Sequence, residues 1–215
     1  SNITVTGATV IAGWSNLEGA PGPAKIISNN TFSNWTGGTS AITAIATNWS
    51  GANSSITGNT ISNITGQGAI TGILRNSSGG AGIESITNNT ISGLSSTGTG
   101  GNVLGISGGA AGITTHTISG NTISGLSSTG ASSTITGINI LAGATVNVND
   151  NNVNSITGTG ITSPLANGVV VAGGTTVNLN RNKICNIAQN GAIATTSPAV
   201  NGISMSGGTT VNAVN

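Results

Sequence analysis

The 215 residues include four Lys plus Arg, three Asp plus Glu and one His, giving a formal net charge of +1 with only 3% charged side chains. This leaves no basic footprint for nucleic acid, and no apolar run approaches the length of a bilayer span, so neither nucleic-acid binding nor membrane insertion is expected. The single cysteine, Cys185, excludes an internal disulfide, and one cysteine with one histidine is too few for a zinc cluster, so no metal and no cofactor are expected.

From the N-terminus, Gly7-Ala8-Thr9-Val10 resembles apolar clusters that recur later, but Trp14 and Gly19-Ala20-Pro21-Gly22-Pro23 interrupt the pattern. Residues 1–24 are therefore expected to form an irregular or incomplete first coil. From residue 25 onward one motif returns six times: Asn30-Thr31-Phe32, Asn59-Thr60-Ile61, Asn89-Thr90-Ile91, Asn121-Thr122-Ile123, Asn151-Asn152-Val153 and Asn182-Lys183-Ile184. The gaps of 29, 30, 32, 30 and 31 residues define a structural unit of nearly constant length.

Whole columns of like residues accompany each Asn. Three positions before it stand Ile27, Ile56, Ile86, Ile118, Val148 and Leu179, and five after it Trp35, Ile64, Leu94, Leu126, Ile156 and Ile187. A second cluster follows in each unit, as in Ile70-Thr71-Gly72-Ile73 and Ile135-Thr136-Gly137-Ile138. A third closes it, as in Gly80-Ala81-Gly82-Ile83, Gly109-Ala110-Ala111-Gly112-Ile113 and Gly143-Ala144-Thr145-Val146. These segments are short, rich in Ile, Val and Thr, and punctuated by Gly and Asn, which predicts strands and excludes helices. Three strands per unit in constant order predict an all-β parallel β-solenoid over residues 25–215, about six coils of roughly 30 residues, each strand stacking on its counterpart one coil later.

Stacked Ile columns fill the interior, each buried side chain contributing roughly 1.5–3 kcal/mol. The Asn column, Asn30, Asn59, Asn89, Asn121, Asn151 and Asn182, is expected to form an internal ladder, because a small amide tolerates a left-handed bend and can bond to the amides above and below. The last residues, Thr210-Val211-Asn212-Ala213-Val214-Asn215, fall in mid-coil with no polar cap, so the repeat is expected to continue in a longer protein.

Runs such as Ser55-Ile56-Thr57-Gly58-Asn59-Thr60-Ile61-Ser62-Asn63-Ile64 and Thr117-Ile118-Ser119-Gly120-Asn121-Thr122-Ile123-Ser124-Gly125-Leu126 resemble the right-handed parallel β-helix repeats of the pectin-lyase-like superfamily. They are most similar to the Gly/Ser/Thr/Asn-rich versions in large secreted bacterial surface proteins. The resemblance implies a right-handed coil, in line with the general hand of parallel crossovers, and admits lyases, glycosidases, tailspikes and stalks alike.

For catalysis the chain offers only Glu18, Glu84 and Asp150 as carboxylates, whereas glycoside hydrolysis ordinarily needs two facing each other and a lyase of this fold would use acidic calcium ligands. Glu84 and His116 each precede their anchor Asn by five residues, and Asp150 and Arg181 precede theirs by one, so both pairs fall in shared columns. They are expected to be cross-coil surface pairs worth about 0–1 kcal/mol each, with an acid–base role for Glu84 and His116 as the alternative. No catalytic residue is assigned. Beside the ladder, Thr31, Thr60, Thr90 and Thr122, with Ser33, Ser62, Ser92 and Ser124 two residues on, form a Thr-x-Ser strip that would suit contact with a glycan, a cell surface or ice. Cys185 stands in the Ser column as a surface substitution.

The expectation is a non-enzymatic, extracellular structural repeat: a rigid spacer in a bacterial adhesin, stalk or filament, with further coils of the same chain or head-to-tail copies as partners. The alternative is a carbohydrate-binding or polysaccharide-degrading β-helix.

Overall fold

The computed structural model describes residues 2–16, 23–48, 53–75, 82–109, 112–160, 165–191 and 199–214. Among them there is no helix. The chain forms strands in a repeating order of three: β1 (Ile3–Thr4), β2 (Ile11–Asn16), β3 (Ile26–Ser28), β4 (Thr31–Thr36), β5 (Ile42–Thr47), β6 (Ser54–Thr57) and β7 (Thr60–Gly66). It continues with β8 (Ile70–Arg75), β9 (Gly82–Thr87), β10 (Thr90–Ser96), β11 (Val103–Gly108), β12 (Ile113–Ser119), β13 (Thr122–Ser128) and β14 (Thr134–Ile140). The last seven are β15 (Thr145–Asn149), β16 (Asn152–Gly158), β17 (Leu165–Val171), β18 (Thr176–Asn180), β19 (Lys183–Gln189), β20 (Val200–Met205) and β21 (Thr210–Val214).

Every third strand joins the same sheet. The first sheet runs β1-β4-β7-β10-β13-β16-β19, the second β2-β5-β8-β11-β14-β17-β20 and the third β3-β6-β9-β12-β15-β18-β21. All pairings are parallel, each between a strand and its counterpart one coil away, as in Ile91↔Ile61 and Ile91↔Ile123. The protein is thus a parallel β-solenoid of about six turns of about 31 residues, three strands to the coil.

The register explains the columns. Ile56, Ile86 and Ile118 point inward on the third sheet, Ile64, Leu94 and Leu126 on the first, and Ile73, Ile106 and Ile138 on the second, all buried in one continuous core. No coil could bury these faces alone, so stability comes from the stack. Trp14 lies within β2 and pairs with Ile45, and Ile3 pairs with Trp35, while Gly7-Ala8-Thr9-Val10 links β1 to β2 and is not a third-sheet strand. Of the interrupting stretch, residues 19–22 lie outside the described residues.

Two left-handed backbone positions recur in each coil, one at the corner that enters the first sheet and one inside its strand, as at Asn34, Asn63 and Gly93. The position before each ladder Asn has positive φ: Asn29 at 55°, Gly58 at 65°, Asn88 at 55°, Gly120 at 67°, Asp150 at 56° and Arg181 at 51°. The bend expected at the ladder Asn therefore sits one residue earlier, where Gly and Asn recur because they tolerate it best. In the second sheet Gly72, Gly105, Gly137 and Gly168 face another constraint: a Cβ would come within 2.5–2.6 Å of a carbonyl oxygen of the next coil. Ala44, fully buried on β5 between Thr43 and Ile45, matches Gly72 on β8 by register, so a single methyl can be accommodated there. At Gly137 the Cβ itself would also run into Val153 Cγ1, so Gly137→Ala is expected to lower stability by about 1–3 kcal/mol and Gly137→Val by more, checked by urea denaturation.

Candidate functional site

The six ladder Asn residues line the corner between the third and first sheets, the four middle ones inside it. Asn59, Asn89, Asn121 and Asn151 are at most 1% exposed. From Asn59 to Asn182 each Oδ1 accepts two bonds from the Asn one coil earlier, from its backbone N–H and from its Nδ2. For Asn121 these come from Asn89 at 3.0 Å each. Asn121 Nδ2 in turn donates to Asn151 Oδ1 at 3.0 Å and to the Ile86 carbonyl at 2.9 Å. The pattern runs from Asn30, through Asn30 Nδ2 to Asn59 Oδ1 at 3.0 Å, to Asn182, which accepts from Asn151 Nδ2 at 3.0 Å. This arrangement satisfies buried amides and corner carbonyls that would otherwise be orphaned, and it leaves the inner rungs no free face for a ligand.

The Thr-x-Ser strip lies on the outer face of the first sheet. Thr31, Thr60, Thr90 and Thr122 are in mutual register, as are Ser33, Ser62, Ser92 and Ser124. The strip changes character at Asn152 and Asn154, then at Lys183 and Cys185, whose thiol is half-buried and free.

On the second sheet the outer face is concave. A groove of about 660 Å³ is lined by Leu104, Thr136, Asn139, Asn167, Val170 and Asn201 among others. Asn201 Nδ2 donates to Asn167 Oδ1 at 2.8 Å, and Asn167 Nδ2 to Thr136 Oγ1 at 3.4 Å, so a second polar ladder runs along its floor. In the sequence Thr136, Asn167 and Asn201 read as variable positions preceding a glycine.

The two charge pairs part company. Asp150 and Arg181 form the expected surface pair, at 2.7 and 2.8 Å, which holds the Asp150 carboxyl below its ordinary value. Glu84 and His116 do not lie on the surface. Glu84 is 5% exposed and His116 fully enclosed, because their column continues as Val146 and points into the core. The Glu84 carboxylate accepts from Arg75 Nε at 3.0 and 2.8 Å and from Arg75 Nη2, and Arg75 is itself only 2% exposed. Burial pushes the Glu84 carboxyl up and Arg75 pulls it back down. Arg75 was missed because it stands in a different cluster, at the end of β8, and the corner brings it to β9. The inward direction was available in the sequence: Val146 and Val177 stand five residues before Asn151 and Asn182, as Glu84 and His116 stand before theirs. Aligning the third clusters on Ile83 and Ile113 hid it, since the register shifts between Ile113 and Thr115 and leaves Ile83 52% exposed.

Among the described residues no group of three or more His, Cys, Asp and Glu could hold a metal ion, and no helix is long and apolar enough to cross a membrane. Comparison with protein-family models, with curated proteins and with solved structures finds no significant match. The class that the fold defines is the parallel β-solenoid.

Proposed function

We propose that the chain is a non-enzymatic structural segment of a secreted bacterial surface protein, a rigid spacer in an adhesin, stalk or filament, coiled right-handedly like the pectin-lyase-like β-helices it resembles. The hand follows the general preference of parallel crossovers. The observation that carries the reading is the unbroken interior ladder: one column of amides ties successive coils from Asn30 to Asn182, so bending the rod would break buried hydrogen bonds. The ladder has one polarity, each Asn donating toward the C-terminal end, so a further coil could be received there by the same bonds. Further coils of the same chain or a head-to-tail copy are the partners this reading implies.

A polysaccharide panel tests the absence of chemistry. The expected result is no release of reducing sugar or unsaturated product. Heat-labile product formation that scales with protein concentration would overturn the non-enzymatic reading.

The groove on the second sheet favours one alternative, a carbohydrate-binding β-helix. Its amides and hydroxyls beside Leu104 and Val170 suit an uncharged glycan better than an ionic one. Isothermal titration with neutral oligosaccharides distinguishes the readings: saturable heat that Asn201→Leu removes would support the glycan reading, and none is expected of a pure spacer.

A further inference from the structure

The interior changes character along the axis at one corner. Where the second sheet gives way to the third, each coil contributes two inward positions, one from the end of a second-sheet strand and one from the start of the third-sheet strand. By register these are Thr47 with Ser54, Arg75 with Glu84, Gly108 with His116, Ile140 with Val146, and Val171 with Val177. The corner is polar through Glu84 and His116 and apolar beyond.

His116 stands at the boundary. It is fully enclosed, and neither ring nitrogen has a hydrogen-bond partner among the described residues. Nδ1 lies 3.8 Å from Glu84 Oε2, beyond hydrogen-bond reach, and Nε2 lies over Gly108, where a Cβ would come within 2.9 Å of it. The neighbouring elements face it with Glu84 from β9, Arg75 from β8, Gly108 from β11 and Val146 from β15. Arg75 and Glu84 are thus the only charged groups around it among the described residues, and their charges already cancel. A proton on His116 would place a second cation beside one carboxylate that Arg75 already occupies. The imidazolium would then have to draw Glu84 away from Arg75 or gain water, and either outcome parts the corner.

We propose that the Arg75–Glu84–His116 corner is an acid-sensitive joint in the rod: protonation of His116 opens the β8–β9 and β11–β12 corner, while the Asn ladder at the far end of β9 and β12 keeps the coils in register. Burial, reinforced by the Arg75 charge, holds the His116 pKa down to about 4. An unfolded chain takes up the same proton near pH 6.5. The stability that depends on a neutral His116 is therefore fully present above about pH 6.5 and is lost as pH falls toward 4.

His116 is the only histidine, so its ring resonances can be followed by NMR in the unaltered chain without ambiguity. It should titrate well below pH 6.5, and amides of β9 and β12 should lose hydrogen-exchange protection, corrected for intrinsic rate, over the same interval while those of β10 and β13 keep theirs. Titration near 6.5, or titration without that selective loss, would overturn the joint. A second arm uses His116→Val, the residue that the next coil places in this column. Between pH 7 and 4 the melting temperature of the parent should fall by about 5 °C or more beyond that of the variant. Equal pH dependence of the two would count against the proposal independently of the NMR result.

Discussion

Arg75→Ala is expected to lower the stability of the solenoid by about 3–5 kcal/mol, because it leaves the Glu84 carboxylate buried without its counter-ion. Arg75 and Glu84 are 2% and 5% exposed, so water cannot replace the lost guanidinium without opening the corner. Glu84→Gln should cost less than Arg75→Ala, since an amide can still accept from Arg75, although it removes the negative charge that balances the buried guanidinium. The informative variant is the double replacement Arg75→Ile with Glu84→Val, which copies the Ile140 and Val146 pair that fills the same corner two coils later. Replacing a buried ion pair by packed apolar groups is commonly neutral or stabilising by about 1–4 kcal/mol, so the double variant should recover most or all of what either single change loses. Urea denaturation midpoints of the four proteins check this. A fully stable Arg75→Ala, or a double variant weaker than both singles, would show that the pair does not carry the corner.

The fold was legible because its signal is redundant. Each apolar column is repeated in every coil, and a parallel stack is the simplest arrangement that places Ile56 under Ile86 and Ile86 under Ile118. Directions at single positions were less legible. Glu84 and His116 were read by their own chemistry as surface groups, whereas the neighbouring coils settle their direction: Val146 and Val177 occupy the same inward column. In a solenoid a residue's environment is set by its column more than by its type. Arg75 could not be joined to Glu84 from spacing, since their contact depends on how the chain turns between the second and third sheets. The outer groove was illegible for a related reason. Thr136, Asn167 and Asn201 look like ordinary surface positions until the concavity of the second sheet buries the first two to 3% and 5% exposure. The left-handed bend falls one residue before the ladder, at Asn29 and Asn88 beside Asn30 and Asn89, and the sequence alone does not say which amide of the pair turns inward.

That pairing of amides makes the ladder a graded test. Asn121→Ala removes an acceptor that serves both the backbone N–H and Nδ2 of Asn89, and a donor that serves Asn151 and the Ile86 carbonyl. The site is fully enclosed, so the abandoned partners cannot turn to water, and leaving two or three buried groups unsatisfied is expected to cost about 3–5 kcal/mol. Asn30→Ala is the control. Asn30 is exposed, its Nδ2 donates to Asn59 Oδ1 and the Ser28 carbonyl, and its backbone N–H keeps its own bond to Asn59 Oδ1 after substitution. It should therefore cost about 1 kcal/mol or less. The difference should also be spatial: hydrogen exchange in Asn121→Ala should rise first in the amides around Asn89 and Asn121, at the corner between β12 and β13, because the rungs on either side lose a shared partner. Equal costs for the two variants, or an Asn121→Ala solenoid that melts with the parent, would mean that stacked apolar columns alone hold the coils and that the amide column adds nothing to the stiffness proposed for the rod.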